Sequence, residues 1–199
     1  MLKKKIKGIH FQPWIGKNYE KSIYGKLLLL GESHYFEMKN QDRQDATSIS
    51  VGKHLSGEWK SPFFRKPGKA IDPQDWKNVW HNVAYANLIQ EGMQGSKGQP
   101  TTVQIATANT AFDLLLKNLK PKKVIVLSKR MWEKWLTGGN CTHVDDLNEN
   151  GLRSEVWEYK YLYGKCLGIG TCHPSARIFS SDQYVPLINK FLSTDYNIK

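Results

Sequence analysis

An α/β fold, three layers deep (α/β/α) around a mostly parallel four-stranded central sheet, is what this sequence predicts, and three observations carry the prediction. Short apolar runs recur at 26–31, 81–89, 122–128 and 166–170, as strands buried in a parallel sheet do. Helical periodicity lies between them, most clearly at 101–119. The 199 residues are 40% hydrophobic, with no internal repeat or break in composition, so one core and a single domain spanning 1–199 are expected.

The first run, Leu27 to Leu30 closed by Gly31, leaves no polar face and reads as the first core strand. From about 37 to 70 the chain is polar and carries Gly52, Gly57, Pro62, Pro67 and Gly68, the composition of a surface insertion. Asp72-Pro73 offers an N-cap and a first-turn proline to a short helix with Trp76, Val79 and Trp80 on one face. The segment from His81 to Asn87, running into Leu88 and Ile89, is a second core strand with Asn87 at or near its carboxyl end. Thr101-x-x-Gln104 is a capping box, and Ile105, Ala108, Phe112, Leu115, Leu116 and Leu119 follow at helical spacing. A β-branched third strand at 122–128 precedes the start of a helix at 131–136, and 138–154 reads as a polar loop. Alternating aromatics at 157–163 predict an antiparallel edge segment, 166–170 the last strand, and Ser181-Asp182 the cap of a terminal helix through Leu192.

Lys and Arg number 29 against 18 acids, a formal charge of +11 spread along the chain, so a polyanion such as DNA is the expected partner. The longest apolar run is far too short to cross a bilayer, and no membrane association is expected. The basic start has no apolar stretch or cleavage site behind it, so a cytoplasmic location is expected; the chain is separately expected to be a monomer. Cys141, Cys166 and Cys172 form no CxxC pair and read as reduced thiols, with neither metal nor cofactor expected.

In a parallel α/β sheet, ligands sit at the carboxyl ends of the strands. Three polar clusters follow strands here: Gly31-Glu32-Ser33-His34-Tyr35-Phe36, Asn87 with its neighbours, and Thr171-Cys172-His173-Pro174-Ser175-Ala176-Arg177. From the residues alone His173 can equally be a turn histidine, Asn87 a loop cap, and Tyr35 and Phe36 buried core. The ordered set resembles the uracil-DNA-glycosylase-like superfamily, whose members carry a Gly-x-Asp-Pro-Tyr-type loop after a Leu-rich first strand and a His-Pro-Ser loop after the last. The segment from Trp80 to Asn87 is similar to the family's middle motif, and that from Leu119 to Leu127 to its third-strand segment. Resemblance covers roughly 26 to 191, leaving the insertion unmatched.

The resemblance implies a uracil-DNA-glycosylase-like fold and a monofunctional DNA glycosylase acting on a flipped-out uracil or modified pyrimidine. It makes His173 the donor that stabilises the departing base, Asn87 the reader of its edge, Tyr35 the group against C5 and Phe36 a stacking surface. Pro174 would fix the backbone so that the amide and hydroxyl of Ser175 meet a phosphate, and Arg177 would enter the duplex or contact a phosphate. The sequence departs from the family at Ser33, where an aspartate is usual. Glu32 is then the first candidate for the missing carboxylate, ahead of Asp42 and Asp45, and resembles the Gly-Glu loop of an iron–sulfur branch whose cluster three cysteines cannot hold. His34 replaces a proline and adds a polar group beside the sugar. Trp59, Phe63 and Phe64, among Lys53, Lys60, Arg65 and Lys66, either enlarge or lid a pocket for a bulkier modified pyrimidine or grip DNA. The rival reading is a non-catalytic DNA- or modified-base-binding protein of the same fold, and a third is an enzyme on free nucleosides or nucleotides.

Overall fold

Four consecutive leucines give a strand no wet side, so both of its faces must be covered. The computed structural model, which describes residues 5–36, 43–95, 98–136 and 140–196, covers them. Its main sheet has seven strands in the spatial order β1 (Trp14–Ile15), β4 (Ala84–Asn87), β2 (Leu27–Gly31), β6 (Lys123–Val126), β9 (Gly164–Gly170), β8 (Leu152–Tyr161) and β7 (Cys141–Glu149). The central four, β4, β2, β6 and β9, are mutually parallel; β1, β8 and β7 join antiparallel. A second, two-stranded parallel sheet pairs β3 (Tyr35–Phe36) with β5 (Met93–Gln94). The chain is thus α/β, and the expectation of four strands is corrected to seven.

The segment 138–154, predicted as a loop, supplies most of the difference. β7 is exposed along most of its length, with only Leu147 buried, and is held by its backbone ladder to β8. Hydrophobic patterning cannot detect such a strand, because nothing on it is buried in a regular alternation. The predicted aromatic edge at 157–163 lies inside the sheet for the same reason, with β7 outside it.

The insertion is also more regular than predicted. It forms helices α1 (Ala46–Ser56) and α2 (Pro62–Ile71). Gly57, at φ 85°, ends α1 in the left-handed region, and Pro62 opens α2, so these residues punctuate helices and not a loop. Helix α3 (Trp76–Asn82) is capped by Asp75, which accepts from the Asn78 amide, while Asp72 instead binds the amides of Gln74 and Asp75. Helix α4 (Thr102–Leu119) carries the predicted Thr101/Gln104 capping box. A short α5 (Lys129–Met131) runs into a π-helical turn, and α6 (Ser181–Ser193) ends the described chain's regular structure. No helix among the described residues is long and apolar enough to cross a membrane.

Alternation along β2 sorts the layers. Leu28 and Leu30 pack with α4, whereas Leu27 and Leu29 pack with α1 to α3 and α6. The chain leaving β2 therefore covers one face and the chain leaving β4 the other, which opens a crevice at their adjacent carboxyl ends.

Candidate functional site

Gly31 and Asn87 are register partners at the ends of β2 and β4. A Cβ on Gly31 would overlap Asn87 Oδ1 and the Tyr85 hydroxyl, so glycine is what lets the two strand ends close. Tyr85 and Asn87 share a strand face, and the Tyr85 hydroxyl donates to Asn87 Oδ1 at 2.8 Å. Burial pushes the Tyr85 phenol well above its usual range, which keeps it a neutral donor. Asn87 is buried, and the bond fixes its carboxamide with the amide nitrogen left as donor.

The chain beyond Gly31 is stitched to the chain beyond Asn87 by backbone bonds from Leu88 to Gly31, Ile89 to Glu32 and Met93 to His34. That stitching buries Glu32, which is only 5% exposed. Its Oε1 accepts from Arg130 Nη2 and, at 3.5 Å, from the Tyr35 hydroxyl; its Oε2 accepts from Arg130 Nε at 3.3 Å and Ser128 Oγ at 3.1 Å. Ser128 also caps α5 by accepting from the Met131 amide, so the helix start and the carboxylate share one hydroxyl. Arg130 is itself held by Gln99 and lies over the Trp135 ring. Ser33 Oγ is buried with no hydrogen-bond partner, a polar atom left open in the wall.

His34 does line the site, but its Nε2 lies 2.9 Å from Thr47 Oγ1 and its ring stacks on Phe36, centroids 5.7 Å apart, and meets Phe11 edge-on. It frames the wall, with Nε2 engaged by Thr47. Phe36 shares that stack, and Tyr35 stays 39% exposed.

After β9 the chain turns through His173. The Ser175 amide donates to His173 Nδ1 at 3.2 Å, which makes Nδ1 the acceptor and Nε2 the protonated nitrogen of the neutral ring. That amide, expected at a phosphate, is spent on the imidazole; only the Ser175 hydroxyl remains for a ligand. Burial lowers the His173 pKa, with the Glu32 charge opposing and Arg130 reinforcing the shift, so the neutral form prevails at neutral pH. Phe63 of α2 lies against the ring at 5.2 Å. Arg177 is exposed on the following turn and does not line the cavity.

These groups surround one cavity of about 750 Å³, lined by Glu32, Ser33, Asn87 and His173 at the strand ends and by α1 and α2 on the side. Neither a protein-family model nor a curated protein matches the chain. The case for function therefore stands on the site itself. The insertion forms the cavity wall, which is one of the roles its aromatics and cations suggested. Of the other carboxylates considered, Asp45 is committed to Arg43 at 2.6 and 2.7 Å, a pairing that holds its pKa below the usual carboxylate range, and Asp42 lies outside the described residues. No group of three His, Cys, Asp or Glu side chains among the described residues is arranged to hold a metal ion.

Sequence reading missed Arg130, Ser128 and Tyr85. Two signals for them were present: Ser128-Lys129-Arg130 directly follows an apolar strand, as the other clusters do, and Tyr85 stands two residues before Asn87 on the same strand face.

Proposed function

We propose that this protein is a monofunctional DNA glycosylase of the uracil-DNA-glycosylase-like kind, hydrolysing the N-glycosidic bond of a flipped-out uracil or modified pyrimidine. The observation that carries the reading is the His173 tautomer: a neutral imidazole with Nε2–H as its donor, lining the same cavity as the buried Asn87 carboxamide and the Glu32 carboxylate. In the reaction the C1′–N bond breaks heterolytically and the electron pair leaves with the base. His173 Nε2–H donates to the base oxygen that becomes negative, and the Asn87 amide nitrogen donates to its edge. Water adds its oxygen to C1′ and gives its proton to Glu32, from which it passes through solvent to the departing base anion, leaving neutral free base, an abasic site and the carboxylate restored. Tyr35 makes the longest of the Glu32 contacts, at 3.5 Å, so its displacement is what frees a lone pair on Oε1 for that water. Phe63 and Tyr35 supply aromatic surface for the extruded base.

Two observations favour the non-catalytic alternative. All of the strong acceptor sites on Glu32 are occupied, and Ser33 offers no charge where the resembling family has an aspartate. Incubation with duplexes carrying uracil, hypoxanthine or modified cytosines, followed by alkaline cleavage, separates the two. Strand breaks that disappear in His173→Ala support the glycosylase; intact duplexes that are nevertheless retained support the binder.

A further inference from the structure

Glu32 is held by a cation that itself faces outward. Arg130 keeps 35% of its side-chain surface and does not line the cavity, whereas Glu32 is 5% exposed and does. Both follow the carboxyl ends of neighbouring strands, since β2 and β6 pair in parallel with Leu30 against Val126. A base that enters the cavity leaves its sugar-phosphate backbone at the rim, and the rim is where Arg130 sits. The charges of Glu32 and Arg130 both act on His173, so the pair stands beside the reacting groups.

A guanidinium carries five N–H donors in a flat fork. Nε and Nη2 each spend one on Glu32 and Nη1 spends one on Gln99, so each terminal nitrogen keeps one N–H, on a group propped by the Trp135 ring at 5.6 Å. Among the described residues Glu32 is the only carboxylate paired with Arg130, while the adjacent Lys129 is answered by Glu133 at 3.4 Å. The open fork matches two oxygens of a phosphate. Glu32 does not depend on Arg130 alone for its place: Ser128 Oγ, fixed by the first turn of α5, donates to Oε2 at 3.1 Å, so the carboxylate stays aimed when the guanidinium turns away.

We infer that Arg130 is shared between Glu32 and a backbone phosphate of bound nucleic acid, so that docking of the strand loosens the carboxylate and exposes the lone pairs that the attacking water needs. This rests on the nucleic-acid reading of the site and deepens it, making Arg130 the positioning residue that couples binding to chemistry. A buried carboxylate without its cation is costly, which keeps the pair closed in the unliganded chain. A carboxylate relieved of a cation is the stronger proton acceptor, which places that cost where the reaction uses it.

The test uses the full chain, Glu32→Gln, Arg130→Met, Arg130→Lys and the Glu32→Gln/Arg130→Met double variant, each held well below its melting temperature. Binding of a short uracil-bearing duplex is followed by fluorescence anisotropy across a salt series. Glu32→Gln frees the guanidinium and is expected to tighten binding roughly fivefold or more, and to do nothing in the Arg130→Met background. Arg130→Met is expected to make the slope of log K against log salt shallower by about 0.9, the share of one phosphate, and Arg130→Lys to restore it. Equal tightening in both backgrounds overturns the inference, because Glu32 would then merely repel the strand; so does a slope that Arg130→Met leaves unchanged. A gain from Glu32→Gln that deoxyuridine 5′-monophosphate shows as fully as the duplex, by calorimetric titration, also overturns it, since the phosphate would then belong to a free nucleotide. Base release by the unaltered chain with additive binding effects removes the coupling and leaves the glycosylase standing. No release from any duplex, with the non-additive pattern intact, removes the glycosylase and retains the shared arginine.

Discussion

Glu32 and Arg130 are separated by 98 residues, and each is placed by a strand end. Breaking a buried ion pair from one side leaves the other charge without compensation, at roughly 3–5 kcal/mol. Arg130 retains 35% of its side-chain surface, so Arg130→Met is expected at the low end, a loss of about 3 kcal/mol measured by denaturant unfolding. His173 and His54 set the pH dependence. Burial lowers both pKa values in the folded state, so the unfolded chain takes up protons first as pH falls. Stability is therefore unaffected by these groups above the ordinary histidine value of about 6.5 and declines as pH drops below it. A midpoint that rises on acidification would contradict this. Gly31→Ala forces a methyl into Asn87 and Tyr85, and a loss of about 1–3 kcal/mol together with weakened ligand binding is the expected outcome by thermal melt and titration.

At the level of elements, α2 connects the insertion to the loop after β9. Lys66 Nζ donates to the carbonyls of Ala176 and Phe179 at 3.2 and 3.0 Å, and the Ser181 hydroxyl returns to Lys66 O. Lys66→Met is expected to leave α2 folded while accelerating amide hydrogen exchange through 176–179; unchanged exchange there would show that the turn after His173 does not depend on α2. Helix α4, by contrast, owes its start to local chemistry. Thr101→Ala removes one half of the capping box, and about 1 kcal/mol of stability should be lost without effect on the cavity 
.

Across the whole molecule, the order of strands decides where chemistry collects. Because α1 to α3 follow β2 on one face and α4 follows β4 on the other, the crevice opens at Gly31 and Asn87, and the loop after β9 closes it from the far side. The chain as a whole carries a formal net charge of +11. If the ligand is DNA, log K must fall linearly with log salt, with a slope of about −0.9 for each phosphate engaged. A slope near zero would point to a small uncharged substrate and away from DNA.

Much of this was legible in the residues. The four buried strands, the capped helix α4 and the three polar clusters at strand ends follow from local rules: apolar runs, helical spacing and turn chemistry act over a few residues and leave their mark in them, though Arg177, the last residue of the third cluster, does not line the cavity. The ribbon of β7 and the helices of the insertion were not legible, since one is held by backbone pairing and the others bury only part of a polar surface. Nor could the sequence say that Arg130 occupies Glu32, that the Ser175 amide is taken by His173, or that one face of α1 walls a cavity. Those are distances between groups far apart in the chain, and only the folded sheet, by bringing its strand ends into register, decides them.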